Sequence, residues 1–225
     1  MEQEKLVGIT SLLLSFVAGF CDTVTFVAAG ELFSAHVTGN FIVFAYDIIK
    51  HANAGAWQKL LTFPVFILAV MTGGRISRKW TNMYILLILE GILLLISGLM
   101  ALALKNVNDT TQWQVLLIAM IIVVALGFQN TFGKLFNKAT YGLTTIMTGN
   151  VTQASLDFIK VVTVRPFDAD AWGSLKKLLF LIVGFLFGCL FGALMAAKVG
   201  LCAVILPGFI LLFWLFKINR LNGKT

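Results

Sequence analysis

Charged residues are scarce in this chain. Only 12% of the 225 residues are charged and ten are acidic, whereas 59% are hydrophobic and the mean hydropathy is +0.94. Soluble globular domains have about 25% charged residues. This composition excludes a soluble domain of useful size and places the chain in the lipid bilayer.

Cysteine and histidine are also few. The three cysteines, Cys21, Cys189 and Cys202, lie in apolar segments without CxxC or histidine spacing, and there are 2 histidines in all. We therefore expect no disulfide, no metal site and no cofactor. The HExxH, GxSxG and P-loop signatures are absent as well, so the sequence does not predict an enzyme.

Long apolar stretches account for most of the chain. A membrane-spanning helix needs about 20 apolar residues. The pattern predicts an all-α polytopic membrane protein whose first span is not a cleaved signal peptide. We expect six spans, near residues 7–30, 60–74, 82–104, 113–133, 178–197 and 200–217.

The basic residues report on orientation. The net charge of +7 comes from 17 Lys and Arg residues scattered in short connections, which is typical of positive-inside topology and not of nucleic-acid binding. With six spans, 13 of the 17 lie at one end, whereas eight spans would divide them 11 against 6. The stronger asymmetry favours six spans with both termini cytoplasmic. The other end then carries Lys50, Lys59, Lys105 and Lys198.

Two halves of the chain share a pattern. Residues 19–23 (GFCDT) match residues 127–131 (GFQNT), and residues 38–50 match residues 148–160 through Thr-Gly-Asn followed by Asp-x-Ile-Lys. We interpret the match as a duplication, with repeats 1–110 and 111–225 that each contain three spans and one short helix. Because three is odd, the second repeat enters the membrane in the inverted orientation, as in many carriers.

Each Thr-Gly-Asn turn is predicted to open a short helix, at residues 38–50 and 148–160. Thirteen helical residues span only about 20 Å. We therefore predict two half-helices that begin inside the protein. Thr38 or Asn40 can cap the first helix, and Gly39 permits the tight turn before it. The two tips are expected to approach each other near the midplane.

Four acidic residues fall in the predicted membrane segments, at a cost of a few kcal/mol each. They are Asp22, Asp47, Glu90 and Asp157. Asp22, whose repeat counterpart is the neutral Asn130, suits proton or cation coupling, and a structural hydrogen-bonded carboxyl is the alternative. Glu90 has no polar neighbour at helical spacing, and both interpretations stay open for it.

Three further residues complete the set of polar candidates. Lys50 and Lys160 follow Asp47 and Asp157 by three residues, which predicts an ion pair on each short helix. His36 precedes the first turn. It suits either a proton path or a histidine bonded to the loop backbone.

The residues around the two turns resemble a known family. Phe33-Ser34-Ala35-His36-Val37-Thr38-Gly39-Asn40 after Asp22, with Gln129-Asn130 and Met147-Thr148-Gly149-Asn150 in the second half, is similar to the YoaK-like family of uncharacterised bacterial membrane proteins. The resemblance covers nearly the whole chain. It implies a bacterial inner-membrane protein with about six spans, and it brings no catalytic residue.

The favoured hypothesis is a small secondary transporter of a small polar or anionic solute, coupled to protons through Asp22 and His36. A channel or facilitator is the alternative within transport. A non-transporting scaffold or regulatory partner is the third hypothesis, in which Gly184, Gly188 and Gly192 pack helices within one chain or between copies of a homo-oligomer. The predicted solute site consists of Thr38, Gly39, Asn40, Thr148, Gly149 and Asn150.

Overall fold

Helices form nearly all of the structure, a computed structural model that describes residues 2–50, 55–105 and 112–222. Long apolar runs favour helices because a helix satisfies its backbone hydrogen bonds internally. A 3-10 turn, Gly200–Val204, separates the last two helices. The helices are α1 Glu2–Ala28, α2 Gly39–Ile49, α3 Ala56–Leu60, α4 Thr62–Lys79, α5 Ile85–Lys105, α6 Gln112–Leu135, α7 Met147–Thr163, α8 Ala169–Val199 and α9 Ile205–Asn222.

Five helical segments are long and apolar enough to span a membrane: Gln3–Ala28, Ala56–Lys79, Ile85–Leu104, Gln112–Leu135 and Ala169–Arg220. The last segment is broken at Gly200, where φ is +64° and the chain reverses. The α8 arm runs alongside α1 in the same direction. The α9 arm returns, since the Trp214 Nε1 donates to Thr10 Oγ1 near the start of α1 at 3.0 Å. The described chain thus passes six times between the ends of the bundle, and the predicted all-α polytopic membrane fold is confirmed.

Close approach of α1 and α8 is made possible by glycine. Gly184, Gly188 and Gly192 face residues Leu12, Phe16 and Phe20 of α1 in register, and a Cβ placed on Gly188 would lie 2.2 Å from the Phe16 carbonyl oxygen. The small-residue stripe on α8 therefore packs against α1 of the same chain. The sequence had left open whether these glycines pack helices within one chain or between copies.

A second parallel pair is formed by α4 and α6. A Cβ on Gly127 of α6 would lie 2.7 Å from Ala69 Cβ of α4, and a Cβ on Gly73 of α4 would lie 3.2 Å from Phe128 and Thr131. The second long helix of each predicted half thus packs on the first long helix of the other half. Helix α5 packs against both α6 and α9.

The helices that begin the two halves are the most deeply enclosed. In the most apolar stretch of each segment, 61% of α1 and 67% of α6 is buried, against 17% for the α3–α4 segment and 28% for the α8–α9 segment. Phe20 and Leu14 of α1 and Phe132 and Leu126 of α6 are fully enclosed side chains of this core. Outward-facing residues such as Phe187 present an apolar surface to lipid.

Candidate functional site

Asp22 anchors the loop that leads into α2. It lies six residues before the end of α1 and is buried. Its Oδ1 accepts hydrogen bonds from the Ala35 N–H at 2.7 Å and the His36 N–H at 3.4 Å, and its Oδ2 is 2.6 Å from His36 Nδ1. Thr25 Oγ1 donates to Ser34 Oγ at 3.1 Å beside this contact. The carboxylate thus supplies hydrogen-bond acceptors for two amides of this loop, and Ala35 is buried.

His36 is half-buried and forms an ion pair with Asp22 when protonated. The hydrogen bond that the His36 ring donates to the Asp22 carboxylate raises the pKa of His36, and burial opposes the rise. A raised pKa means that the charge on His36 is favoured below that value and is lost as the pH rises through it. The ring also meets the Phe185 ring of α8 edge-on, with centroids 5.6 Å apart.

The second half anchors its loop with neutral groups. Asn130 Nδ2 donates to Thr145 Oγ1 at 2.9 Å, and Gln129 Nε2 donates to Thr144 Oγ1 at 2.7 Å. Gln129 Nε2 also donates to the Leu14 carbonyl oxygen at 2.8 Å, which ties α6 to α1. Sequence reasoning did not assign Gln129, Thr144 or Thr145, although the repeat match placed Gln129 beside Asn130.

The two loops contact α1 at different levels. The first loop contacts α1 at Asp22 and the second lies beside Leu14 through Gln129. Eight helical residues separate these positions, or about 12 Å along the α1 axis. The two anchoring contacts with α1 therefore lie at separate levels of the bundle, and the approach of the two Thr-Gly-Asn tips to each other stays a prediction.

Both asparagines of the Thr-Gly-Asn turns bind their own loops. Asn40 Oδ1 accepts from the Phe33 N–H and its Nδ2 donates to the Phe33 carbonyl oxygen, both at 2.8 Å, and Nδ2 also donates to Thr62 Oγ1 at 2.9 Å. Asn150 Nδ2 donates to the Leu143 carbonyl oxygen at 2.8 Å. Each asparagine therefore closes its loop on the residue seven positions earlier.

The predicted capping by Thr38 or Asn40 is wrong. Thr38 occupies the N-cap position of α2 without a side-chain capping bond, and Asn40 is turned toward Phe33. The Gly39, Asn40 and Phe41 N–H groups instead donate to carbonyl oxygens three residues earlier. In the second half the N-cap residue is Ile146, so Thr148 and Gly149 lie in the first turn of α7, where both are exposed.

The predicted ion pair between Asp47 and Lys50 is also wrong. Asp47 pairs with Lys59 of α3, and both side chains are buried. Helix α3 places Lys59 beside Asp47, while the Lys50 ammonium lies 5.9 Å from the Tyr46 ring centroid. A cross-helix partner is favoured because it lets the buried charges neutralise each other.

Asp157 on α7 accepts hydrogen bonds from neutral side chains. Hydrogen bonds from Ser174 and Gln153, together with the charge of Lys160, hold the pKa of Asp157 below its usual range. The Gln153 Nε2 donates to Asp157 Oδ1 at 2.8 Å. Lys160 therefore acts through its charge, and the side chain that contacts Asp157 across to α8 is Ser174.

Glu90 is fully buried on α5, and among the described residues neither of its carboxyl oxygens has a hydrogen-bond partner. Gln129 Oε1 on α6 and Ser15 Oγ on α1 are also buried without hydrogen-bond partners among the residues that the structure describes. The Leu-x-Gly pattern around Glu90 recurs around Pro207 of α9, and the two glycines meet: a Cβ on Gly208 would lie 3.1 Å from the Gly91 carbonyl oxygen.

Metal binding finds no support in the described ranges. Across residues 2–50, 55–105 and 112–222, no three His, Cys, Asp or Glu side chains come together in a way that could hold an ion. The polar groups near the bundle centre are instead suited to hydrogen bonding and to proton exchange.

These features define the class: an all-α polytopic membrane protein with polar loops anchored inside its helical bundle. The family described as "Protein of unknown function (DUF1275)" matches residues 10–216, and the chain belongs to it. The predicted membership in an uncharacterised membrane-protein family is thereby confirmed. No curated protein and no solved structure matches the chain.

Proposed function

We propose that the protein is a small secondary transporter that couples the movement of a small polar or anionic solute to protons. The observation that carries the proposal is the Asp22–His36 pair, an ionisable pair held inside the bundle at the base of a loop. Intramembrane ionisable residues are costly, and they commonly mark ion and substrate paths.

Asp22 and His36 have no ionisable counterparts in the second half. The repeat match aligns Asn130 with Asp22, and the offset of the Thr-Gly-Asn turns aligns Ile146 with His36. Asn130 anchors its loop through Thr145 without any charge, so the fold does not require a carboxylate at this position. The charge at Asp22 is therefore best explained by a task other than stability.

Protonation of Asp22 would change the hydrogen bonds and the ion pair that its carboxyl group can form. The ionised group accepts bonds from two loop amides and from His36. A protonated carboxyl has fewer acceptor sites and no charge to pair with a histidine. Proton binding would thus weaken the attachment of residues 29–38 to α1, and proton release would restore it.

The helix packing suits movement of two units. Helix α1 packs along α8, and α4 packs along α6, whereas α1 meets α6 over a short stretch only. Alternating access in carriers with inverted repeats proceeds by the rocking of one bundle against the other. The loops anchored by Asp22 and Asn130 lie at the junction between the two pairs. Helices α2 and α7 begin directly after these loops, and the positive dipole ends at their N-termini favour a negatively charged solute.

The test uses the full-length protein in proteoliposomes with an imposed pH gradient. Uptake of a panel of small organic anions is followed together with an internal pH dye. We expect Asp22→Asn to abolish accumulation above the outside concentration and to lower the initial rate of gradient-driven uptake by about two orders of magnitude, the range given for a positioned proton-transfer group. Asp170→Asn, the same chemical change at the exposed start of α8, is the control and should leave accumulation unchanged.

Two outcomes would count against this proposal. If Asp22→Asn still accumulates solute against a gradient, Asp22 does not couple protons. If the wild type passes solutes only down their gradients and Asp22→Asn does the same at a similar rate, the protein is a channel or facilitator.

A further inference from the structure

A groove opens beside the N-terminal ends of α1 and α8. It has a volume of about 530 Å³, and its lining includes none of the anchoring side chains Asp22, Gln129 and Asn130. Tyr141 forms its floor: its backbone N–H donates to Ser11 Oγ at 2.9 Å and its hydroxyl donates to the Glu4 carbonyl oxygen at 3.4 Å. Gly8 makes room for this ring, since a Cβ there would lie 2.8 Å from the tyrosine hydroxyl.

The rim of the groove is positively charged. Lys5, Lys176 and Lys177 line it against a single carboxylate, Glu4, which leaves three minus one, or two, positive charges. Lys177 Nζ lies 3.7 Å from Glu4 Oε1 and 5.3 Å from the Tyr141 ring centroid, so its ammonium is held over the floor. Such an arrangement is complementary to an anion and disfavours a cation.

The outer wall of the groove is apolar. Ile9 and Phe180 line it and are 46% and 43% exposed, so hydrocarbon can lie against them. Below Phe180 the lipid-facing side of α8 continues through Val183 and Phe187, which are also exposed. At the rim, Lys176 Nζ lies 5.4 Å from the Trp172 ring centroid, and tryptophan is typical of the membrane interface. The groove thus joins a cationic pocket at headgroup level to an apolar track along the membrane.

We propose that this groove binds one anionic phospholipid, with its phosphodiester headgroup among Lys5, Lys176 and Lys177 and an acyl chain along Ile9 and Phe180. Basic pockets at the membrane surface next to spanning helices are suited to such headgroups. The inference goes beyond solute transport and does not depend on it. It concerns a different end of the molecule and a different ligand.

The experiment places the purified full-length protein in nanodiscs made of equal parts phosphatidylglycerol and phosphatidylcholine. The lipid retained after detergent extraction is then counted by native mass spectrometry. We expect the wild type to retain phosphatidylglycerol in preference to phosphatidylcholine. Each lysine near an anionic headgroup contributes about fivefold in affinity. We therefore expect the affinity for phosphatidylglycerol to fall on the order of a hundredfold in the triple variant Lys5→Gln/Lys176→Gln/Lys177→Gln.

The matched control removes three cations from the same end of the bundle but outside the groove: Arg78→Gln/Lys217→Gln/Arg220→Gln. It should retain phosphatidylglycerol like the wild type. A Lys5→Arg/Lys176→Arg/Lys177→Arg variant keeps the charge and should also retain the lipid, which separates a lost site from a misfolded protein.

The proposal is overturned if the two glutamine variants lose lipid equally, because the retention would then reflect total charge. Equal retention of both lipids by the wild type would overturn it too. Displacement of the bound lipid by soluble glycerol phosphate would show that the headgroup alone is recognised, against a lipid site with an acyl track.

Discussion

Asp22 and Asn130 occupy matching positions in the two halves and perform the same structural task with different chemistry. Both sit on the most enclosed helices and hold the loop before a short helix. The sequence singled out Asp22 because a carboxyl in an apolar segment is costly. The sequence also predicted Asn40 and Asn150 as solute ligands. In the structure their side-chain amides bind the backbone of their own loops.

Glu90 gives a sharp test of how buried carboxyls are tolerated. A charged carboxylate without partners would cost several kcal/mol in this environment, so we expect the group to be protonated at neutral pH. Infrared spectroscopy of the wild type at pH 7 should then show the band of a protonated carboxyl in an apolar site. Glu90→Gln should lack that band and unfold at nearly the same temperature, because the amide resembles the neutral acid in shape.

The control for this measurement is Asp170→Asn, which removes an exposed carboxylate and should leave the band in place. If Glu90→Gln leaves the band intact, or if only an ionised carboxylate is seen, Glu90 is charged and must have a partner that the described contacts do not reveal.

Helix packing depends on individual glycines. Along α1 and α8 the backbones approach so closely that a methyl group on Gly188 would overlap the Phe16 carbonyl oxygen. The spacing of Gly184, Gly188 and Gly192 indicated a close helix contact, but the sequence did not predict which helix is the partner. The same spacing serves an oligomer interface equally well, because small residues permit close approach in either setting.

We expect Gly188→Ala to destabilise the protein by about 1–3 kcal/mol, the usual cost of overpacking a tight interface. Gly173 lies on the same helix with open space around its Cβ position, so Gly173→Ala should be neutral or stabilise by about 0.5–1 kcal/mol through helix propensity. Thermal unfolding in detergent compares the two variants.

The oligomeric state should be measured on the same samples. A Gly188→Ala protein that is as stable as the wild type but has changed its assembly size would place the glycine stripe between copies and contradict the contact with α1.

Charge distribution and helix contacts agree on how the chain is threaded. Helices α4 and α9 finish at the end of the bundle where α1 starts, and α8 finishes at the opposite end. Thr81, which follows α4, and Lys198, which is near the end of α8, therefore lie at opposite ends of the bundle. Of the 17 Lys and Arg residues, 13 lie at the end that carries Thr81 when six spans are assigned. The positive-inside rule predicts that this end is cytoplasmic.

This orientation can be tested with single cysteines in a Cys21→Ala/Cys189→Ala/Cys202→Ala background. A membrane-impermeant maleimide added to intact cells should label Lys198→Cys and leave Thr81→Cys unlabelled until the membrane is permeabilised. Both positions are exposed in the structure. Labelling of both positions from the same side would favour eight spans, and the reversed pattern would invert the assigned orientation.

The sequence by itself determined that this protein lies in the membrane, that it is all-α, that it passes six times through the bundle and that its basic residues collect at one end. These properties are sums over local residues, since each apolar or charged side chain contributes to membrane transfer with little regard for distant neighbours. Only the tertiary structure decided the partners: Asp47 with Lys59, Asn40 with Phe33, and Gln129 with the Leu14 carbonyl oxygen 115 positions away. Such pairs depend on how helices cross and where loops re-enter the bundle, and no local pattern of residues fixes that geometry.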